Sequence, residues 1–271
     1  MEALRLPFVL RQLRHLPLPH KLGLLERLYG PRLAGEGTAW VEASNGVVWK
    51  LDLSDACERW IVYGDYEGPE QMGWLRRWLK QGGVVIDSGA NIGQMALYLA
   101  PLLGVDLFAF EPLPSAADWL EECLARYPEW SVKVIRKGLS SADDTVVMQV
   151  DGARSTARTD WYQRKHFPTL SLPMTTLDSF LDENRIPEVK LWKLDVEGHE
   201  LQALEGARGH LERQRIAAIL VELSGGAEPR RLLADCGYAL YRLGWRGGLV
   251  PVTGADTALG NLLALPVGSA P

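Results

Sequence analysis

Apolar positions along the chain change period several times, and each change marks an element. From Ala39 to about Tyr63 the pattern is short and strand-like, with Val41, Val47, Val48, Trp49 and Leu51 around Ser44-Asn45-Gly46, where Asn-Gly supplies the positive φ of a tight hairpin. Pro69 opens a helix with Met72, Trp74, Leu75, Trp78 and Leu79 on one side, and Gly82-Gly83 stops it. Val84-Val85-Ile86 is then a continuous apolar run; a glycine-containing turn follows, and Ile92, Met95, Ala96, Leu99 and Leu103 recur at helical spacing. Leu107 to Phe110 forms the next strand, Trp119, Leu120, Cys123, Leu124 and Tyr127 line a helix, and Val132 to Ile135 leads into Gly138-Leu139-Ser140. Buried strands alternating with amphipathic helices predict a parallel sheet covered on both faces.

Between residues 145 and 174 the rhythm becomes two alternating apolar stretches, Thr145 to Val150 and Thr169 to Pro173, which reads as an insertion. Thr175-Thr176-Leu177-Asp178 then carries a capping signal for a helix through Leu181, and Val189 to Leu194 is another buried strand, ending at Asp195. A helix with Leu201, Leu204 and Leu211, the strand Ala217 to Leu223, and a helix with Leu232 and Leu233 closed by Gly237 follow. Tyr238 to Leu243 and Asn261 to Pro266 finish the sheet as an antiparallel pair. The expected organisation is a basic helical arm over 1–38, a β lead-in and helix over 39–83, and an α/β core over 84–271.

Composition narrows the classes of function. A chain of 271 residues, 47% apolar, buries a substantial core as one main domain. A formal charge of −5 excludes a general phosphate-backbone binder, so no nucleic-acid partner is expected. Three widely spaced cysteines, Cys57, Cys123 and Cys236, read as reduced thiols of a cytoplasmic protein. The N-terminal stretch lacks the marks of a secretory signal, and no segment reaches the ~18 apolar residues of a spanning helix. The first 32 residues nevertheless hold six Lys/Arg against two acidic residues. That arm suits docking on an anionic membrane surface or a partner, although a basic helix packed on the domain is the plainer expectation.

The segment Asp87-Ser88-Gly89-Ala90-Asn91-Ile92-Gly93 selects the cofactor. A small-residue loop after the first strand lets a ligand approach the backbone and a helix N-terminus. A dinucleotide fingerprint wants glycines at its first, third and sixth positions; here they occupy the first and fifth, and Asn91 stands where a pyrophosphate needs clearance. Asp87 at the strand end opposes a diphosphate but suits the sulfonium and amino group of S-adenosylmethionine (SAM). Glu111, at the end of the next strand, suits both ribose hydroxyls. A nicotinamide-dependent oxidoreductase and a noncatalytic Rossmann-like scaffold remain the alternatives.

Asp87-Ser88-Gly89-Ala90-Asn91-Ile92-Gly93, Phe110-Glu111-Pro112, Thr175-Thr176-Leu177-Asp178 and Lys193-Leu194-Asp195-Val196-Glu197-Gly198-His199-Glu200 together resemble the FkbM-type SAM-dependent methyltransferases, and Asn261 to Pro266 is similar to that family too. The resemblance implies a Rossmann-like class I methyltransferase fold: a mostly parallel seven-stranded sheet with an antiparallel last strand and helices on both faces. It implies O-methyl transfer to a hydroxyl of a sugar, glycan or natural product. On this reading Asp87, Gly89, Ala90, Asn91, Gly93, Glu111, Pro112, Ser140 and Asp195 hold the cofactor.

Methyl transfer is an in-line displacement, so the enzyme positions the acceptor oxygen and removes its proton. Asp195, His199 and Glu222 are the candidate catalytic residues, with His199 as base and Asp195 as orienter. The plainer account of Glu197 to Glu200 is a helix start, where acids suit the dipole. No metal is expected; the alternative is Mg²⁺ on Asp195, Glu197 and Glu222. Arg154, Arg158, Trp161 and Tyr162 offer a cationic and aromatic wall to a small-molecule or carbohydrate acceptor; a charged surface hairpin serves equally well.

Overall fold

A computed structural model describes residues 2–16, 18, 20–64, 68–151, 154–156, 168–223, 226–244, 248–252 and 260–269, with the backbone alone at 69, 151 and 154–156. The chain divides into two compact units, Met1–Gly73 and Trp74–Pro271.

The first unit contains α1 (Phe8–Leu13), α2 (Lys21–Ala34), β1 (Thr38–Glu42), β2 (Val48–Asp52) and α3 (Ala56–Tyr63). β1 and β2 form the expected antiparallel hairpin, Glu42 opposite Val48, with Gly46 at φ 85° and the Asn45 side chain accepting from the Val47 amide at 3.2 Å. Asp55 caps α3 by accepting from the Cys57 and Glu58 amides. α2 and α3 are tied by Glu26, which accepts from the Arg59 guanidinium at 2.5 Å and from the Tyr63 hydroxyl at 2.9 Å.

α4 (Pro69–Trp78) leads into the second unit, whose elements are β3 (Gly83–Ser88), α5 (Gln94–Leu99), β4 (Val105–Phe110), α6 (Pro114–Leu124), β5 (Val132–Ile135), β6 (Gly138–Leu139), β7 (Thr145–Asp151), β8 (Arg154–Thr156) and β9 (Thr169–Thr175). There follow α7 (Leu177–Glu183), β10 (Leu191–Leu194), α8 (Glu200–Glu205), α9 (Arg208–Glu212), β11 (Ile219–Leu223), α10 (Glu228–Asp235), β12 (Tyr238–Leu243), β13 (Leu249–Pro251) and β14 (Gly260–Pro266).

The main sheet runs β13-β12-β14-β11-β10-β3-β4-β5. β5, β4, β3, β10 and β11 are parallel, and β14 enters antiparallel between β11 and β12. These are the seven strands of the expected sheet with its antiparallel last strand; β13 pairs outside β12 and adds an eighth.

Register explains the continuous apolar runs. Ile86, Phe108, Trp192, Ile219 and Ala264 stand side by side on one face and pack with Leu177, Phe180, Leu204, Leu211, Leu232 and Leu233 of α7 to α10. Val85, Leu107, Leu191, Leu220 and Leu263 are buried on the other face. A sheet buried on both faces cannot alternate polar and apolar positions. Inside this core the Trp192 indole donates to the Ser88 hydroxyl at 2.7 Å, which satisfies a polar group that burial would otherwise leave orphaned. The two stretches of the insertion pair as β7 and β9, Thr145 opposite Pro173, in a sheet of order β6-β9-β7-β8 with a small core of Met148, Leu172 and Met174.

Two helices differ from their periodicity. α5 stops at Leu99, and Leu103 is 93% exposed, because the chain turns through Gly104 (φ 73°) to start β4. The helix expected around Leu201 to Leu211 is two short pieces separated at Gly206-Ala207. A Cβ on Gly206 would lie 1.9 Å from the Ser140 carbonyl oxygen, so that segment lies against the helix break itself.

The Thr175-Thr176-Leu177-Asp178 stretch acts at two helix starts. Thr176 accepts from the Ser179 amide at 3.0 Å and caps α7. Asp178 reaches α9, accepting from the Gly209 and His210 amides at 2.7 and 3.0 Å and bonding the His210 Nδ1 at 2.6 Å. Asp178→Ala should therefore cost about 1–3 kcal/mol, a helix cap plus orphaned donors, measured by urea unfolding against Asp182→Ala as a control.

Candidate functional site

The carboxyl edge of the central strands gathers most of the sequence candidates. β3 ends in buried Asp87 and Ser88, and in the sheet Asp87 sits between Ala109 and Lys193. At Gly89 (φ 76°) an added Cβ would lie 1.9 Å from the Asp195 carbonyl oxygen, so only glycine lets this loop pass the end of β10. The Gly89 and Ala90 amides both donate to the Phe110 carbonyl at 3.0 Å. Asn91 takes a left-handed conformation (φ 50°), which asparagine tolerates better than most residues, and Gly93 (φ 89°) starts α5.

Glu111 fixes the shape of this loop. One carboxylate oxygen accepts from the Asn91 amide and the other from the Leu113 amide, both at 2.8 Å. Burial pushes the Glu111 carboxyl up to about 7, against the pull of these two donors. The Asn91 side-chain oxygen is buried and has no hydrogen-bond partner among the described residues. Pro112, next along, packs near Gly138.

The second group sits on β10, β11 and β14. Lys193 is buried in the central strand, and its ammonium donates to the Asp195 carboxylate at 3.0 Å and to the Asn261 side-chain oxygen at 3.4 Å. Asn261 stands directly opposite Glu222 in the β14–β11 register. Burial first, then repulsion from Asp195 and Glu197 and a hydrogen bond with Asp195, raise the Glu222 carboxyl to about 7, while Lys193 pulls it the other way. Lys193 thus stands beside Asp195 and within the field of Glu222, which Glu197 also reaches, and the Asp195 side chain is 31% exposed. The turn that carries them holds Glu197 and Gly198 at φ 51° and 98°, a left-handed conformation that is unfavourable for glutamate.

Ser140 and His199 form a third group. The Ser140 hydroxyl and His199 Nε2 are 2.9 Å apart, and burial lowers the His199 pKa, which favours neutral imidazole. The sequence assigned these two residues separate roles; the structure makes them partners. Arg158, Trp161 and Tyr162 lie outside the described residues, as does the side chain of Arg154. Among the described residues no group of three or more His, Cys, Asp or Glu side chains is placed to hold a metal ion. Sequence reasoning missed Lys193 and Asn261. A lysine inside the apolar strand Leu191-Trp192-Lys193-Leu194 was itself a signal, because central strands rarely bury an unpaired charge.

The raised carboxyls carry a signed pH dependence. A group whose pKa rises on folding contributes stability fully present below its unfolded pKa, near 4.5, and lost as pH climbs through about 7. Glu222→Gln should therefore flatten the fall in melting temperature between pH 5 and pH 8 relative to wild type. Superimposable pH profiles of the two proteins by scanning calorimetry would contradict this assignment.

Comparison with known proteins adds to this geometry. The Methyltransferase FkbM domain matches residues 87–240, more than half of the chain. The Hexuronic acid methyltransferase AglP of Haloferax volcanii is 29% identical over 151 residues, which is 56% of this chain and 60% of that relative's length. Among solved structures, the precorrin-6y C5,15-methyltransferase of Geobacter metallireducens aligns over 73% of this chain and 90% of its own, at 11% identity and a TM-score of 0.41. A SAM-dependent O-methyltransferase of Thermotoga maritima aligns over 74% of this chain and 66% of its own, at 14% identity and a TM-score of 0.41. With its loop, its sheet order and its four motifs inside or beside the matched span, the chain belongs to the FkbM methyltransferase family.

Proposed function

We propose that this protein transfers the methyl group of SAM to a hydroxyl of a sugar, and that uronic-acid sugars are the first acceptor class to test. The observation that carries the reading is the Asp195–Glu222 carboxyl pair on a buried lysine, beside a glycine loop at the carboxyl edge of the sheet. The acceptor class rests on the relative whose name gives hexuronic acid as its substrate. A cytoplasmic location belongs to the same proposal and rests on the three widely spaced cysteines.

The residues present fit the cofactor. Residues 87–93 contain no lysine or arginine to neutralise a diphosphate, and two buried carboxyls, Asp87 and Glu111, border the loop. That charge favours a cationic ligand. Each Glu111 oxygen already accepts one amide and retains a second lone pair for a ribose hydroxyl. The orphaned Asn91 oxygen offers one more acceptor. Gly89, Ala90, Gly93, Pro112 and Ser140 would complete the cradle, and bound SAM would supply an electrophilic methyl group.

Glu222 is the proposed base. Its carboxyl sits near neutrality, where a base is most effective, and Asp195 orients it and the acceptor hydroxyl. Lys193 keeps the pair from rejecting its negative charge altogether. His199 is assigned a positioning part: its Nε2 is engaged by Ser140, and the pair fixes the turn that presents Asp195. Arg154, Arg158, Trp161 and Tyr162 are retained as the proposed acceptor wall. Among the described residues no helix is long and apolar enough to cross a membrane.

The test uses methyl-labelled SAM with a uronic-acid oligosaccharide and mass spectrometry of the product. Glu222→Gln should lower kcat about 10²- to 10⁴-fold with the SAM Kd unchanged. Glu111→Ala should weaken SAM binding by calorimetry while leaving NAD without affinity. SAM binding without transfer to uronic or neutral sugars would remove the acceptor class; NAD binding in place of SAM would remove the whole proposal.

A further inference from the structure

We infer that the outward side of α1 and α2 docks on an anionic lipid bilayer. Five large apolar side chains of α1, α2 and the turn between them are exposed to solvent: Phe8 (67% exposed), Val9, Leu16, Leu24 and Leu28 (57% exposed). Arg5, Arg11, Arg27 and Arg32 are exposed among them. The Arg11 guanidinium stands 5.9 Å from the centre of the Phe8 ring.

The segment separates its charges by direction. Its two other cations turn inward, Arg14 to Glu42 at 3.0 Å and Lys21 to the Arg14 carbonyl at 3.1 Å. Between Arg5 and Arg32 the only acidic residue is Glu26, and Arg59 and Tyr63 engage it. Glu2, beyond that span, meets Arg5 only at 3.9 Å with both side chains exposed. The outward side therefore presents four exposed arginines, with Glu2 and Glu36 the nearest exposed acids along the chain.

α2 shows the same division turn by turn. Leu25 and Leu33 are buried, whereas Leu24, Arg27, Leu28, Pro31 and Arg32 recur on the solvent side at helical spacing. A surface helix ordinarily turns its polar face outward, so apolar residues on both faces mark one face for a partner. Leucine and phenylalanine between arginines match the boundary of an anionic bilayer, where apolar side chains enter the acyl region and cations meet headgroups. A nucleic acid would use the arginines and leave the leucines in water. A second copy of this chain would bring the same cations against themselves.

Net charge concentrates the attraction in this segment. The first 32 residues carry +4 and the chain −5, so the remaining residues carry −9 and are repelled by the surface that attracts the arm.

The experiment is sedimentation of the full chain with vesicles of phosphatidylcholine alone or with added phosphatidylglycerol, over a salt series. Binding is expected only with the anionic lipid, weakening as salt rises. Replacing Arg11, Arg27 and Arg32 together by Gln should lower affinity about 100-fold, and Leu24→Ser with Leu28→Ser at least about tenfold. All five positions are exposed, and circular dichroism melting checks that both variants stay folded. Absence of binding to anionic vesicles, or equal binding by wild type and both variants, would overturn the inference. So would a concentration-dependent dimer dissolved by the leucine replacements, which would give this face to a second copy. None of these outcomes depends on methyl transfer.

Discussion

The second unit depends on one close passage of backbone, where the loop leaving β3 crosses the end of β10 at Gly89. The missing side chain there brings the Asp195 carbonyl within the space a methyl group would fill. Everything the site uses hangs on that approach. It sets the loop that Glu111 then holds through the Asn91 and Leu113 amides, and it places the turn that carries Asp195, Glu197 and His199. A larger residue would force apart two central parallel strands rather than perturb a surface loop, since interiors are too tightly packed to yield at one point.

The second constraint is electrostatic. Asp195 and Glu197 both repel the half-buried Glu222 carboxyl, which only Lys193 offsets, a combination that is unfavourable for folding. Such a cluster makes chemical sense where a proton must be taken up near neutral pH. Glu111 shows that burial alone reaches a similar value in a residue whose oxygens each accept a loop amide. A shifted carboxyl is therefore not by itself a base; the proposal of Glu222 rests also on the part-exposed Asp195 beside it.

Much of the fold was legible because local chemistry and global topology agree. Asn45-Gly46 marked the hairpin, Thr176 the start of α7, Gly237 the end of α10, and the uninterrupted apolar runs marked strands covered on both faces. Periodicity reports that a face is apolar, not what lies opposite it. Leu103 fits the helical period yet meets only water, and the break at Gly206 is imposed by Ser140, 66 positions earlier by residue number. The candidate site was legible in the same measure: loop and strand-end acids could be named, but Lys193 with Asn261, and Ser140 with His199, meet only after the chain has folded. β13 escaped notice because three residues are too few to show any period.

The position of β14 bears on how the molecule assembles. It lies between β11 and β12, inside the sheet rather than at its rim, and its first residues bring Asn261 across from Glu222. β12 and β13 are made earlier on the chain and pair with each other, but only β14 joins them to the parallel strands. Closure of the sheet and arrival of Asn261 at Lys193 are thus coupled through long-range pairings, the kind that slow folding most. During synthesis the earlier parallel strands can gather with Asp195 and Glu222 already side by side, so a partly made chain holds the cofactor loop and the acid pair but lacks Asn261.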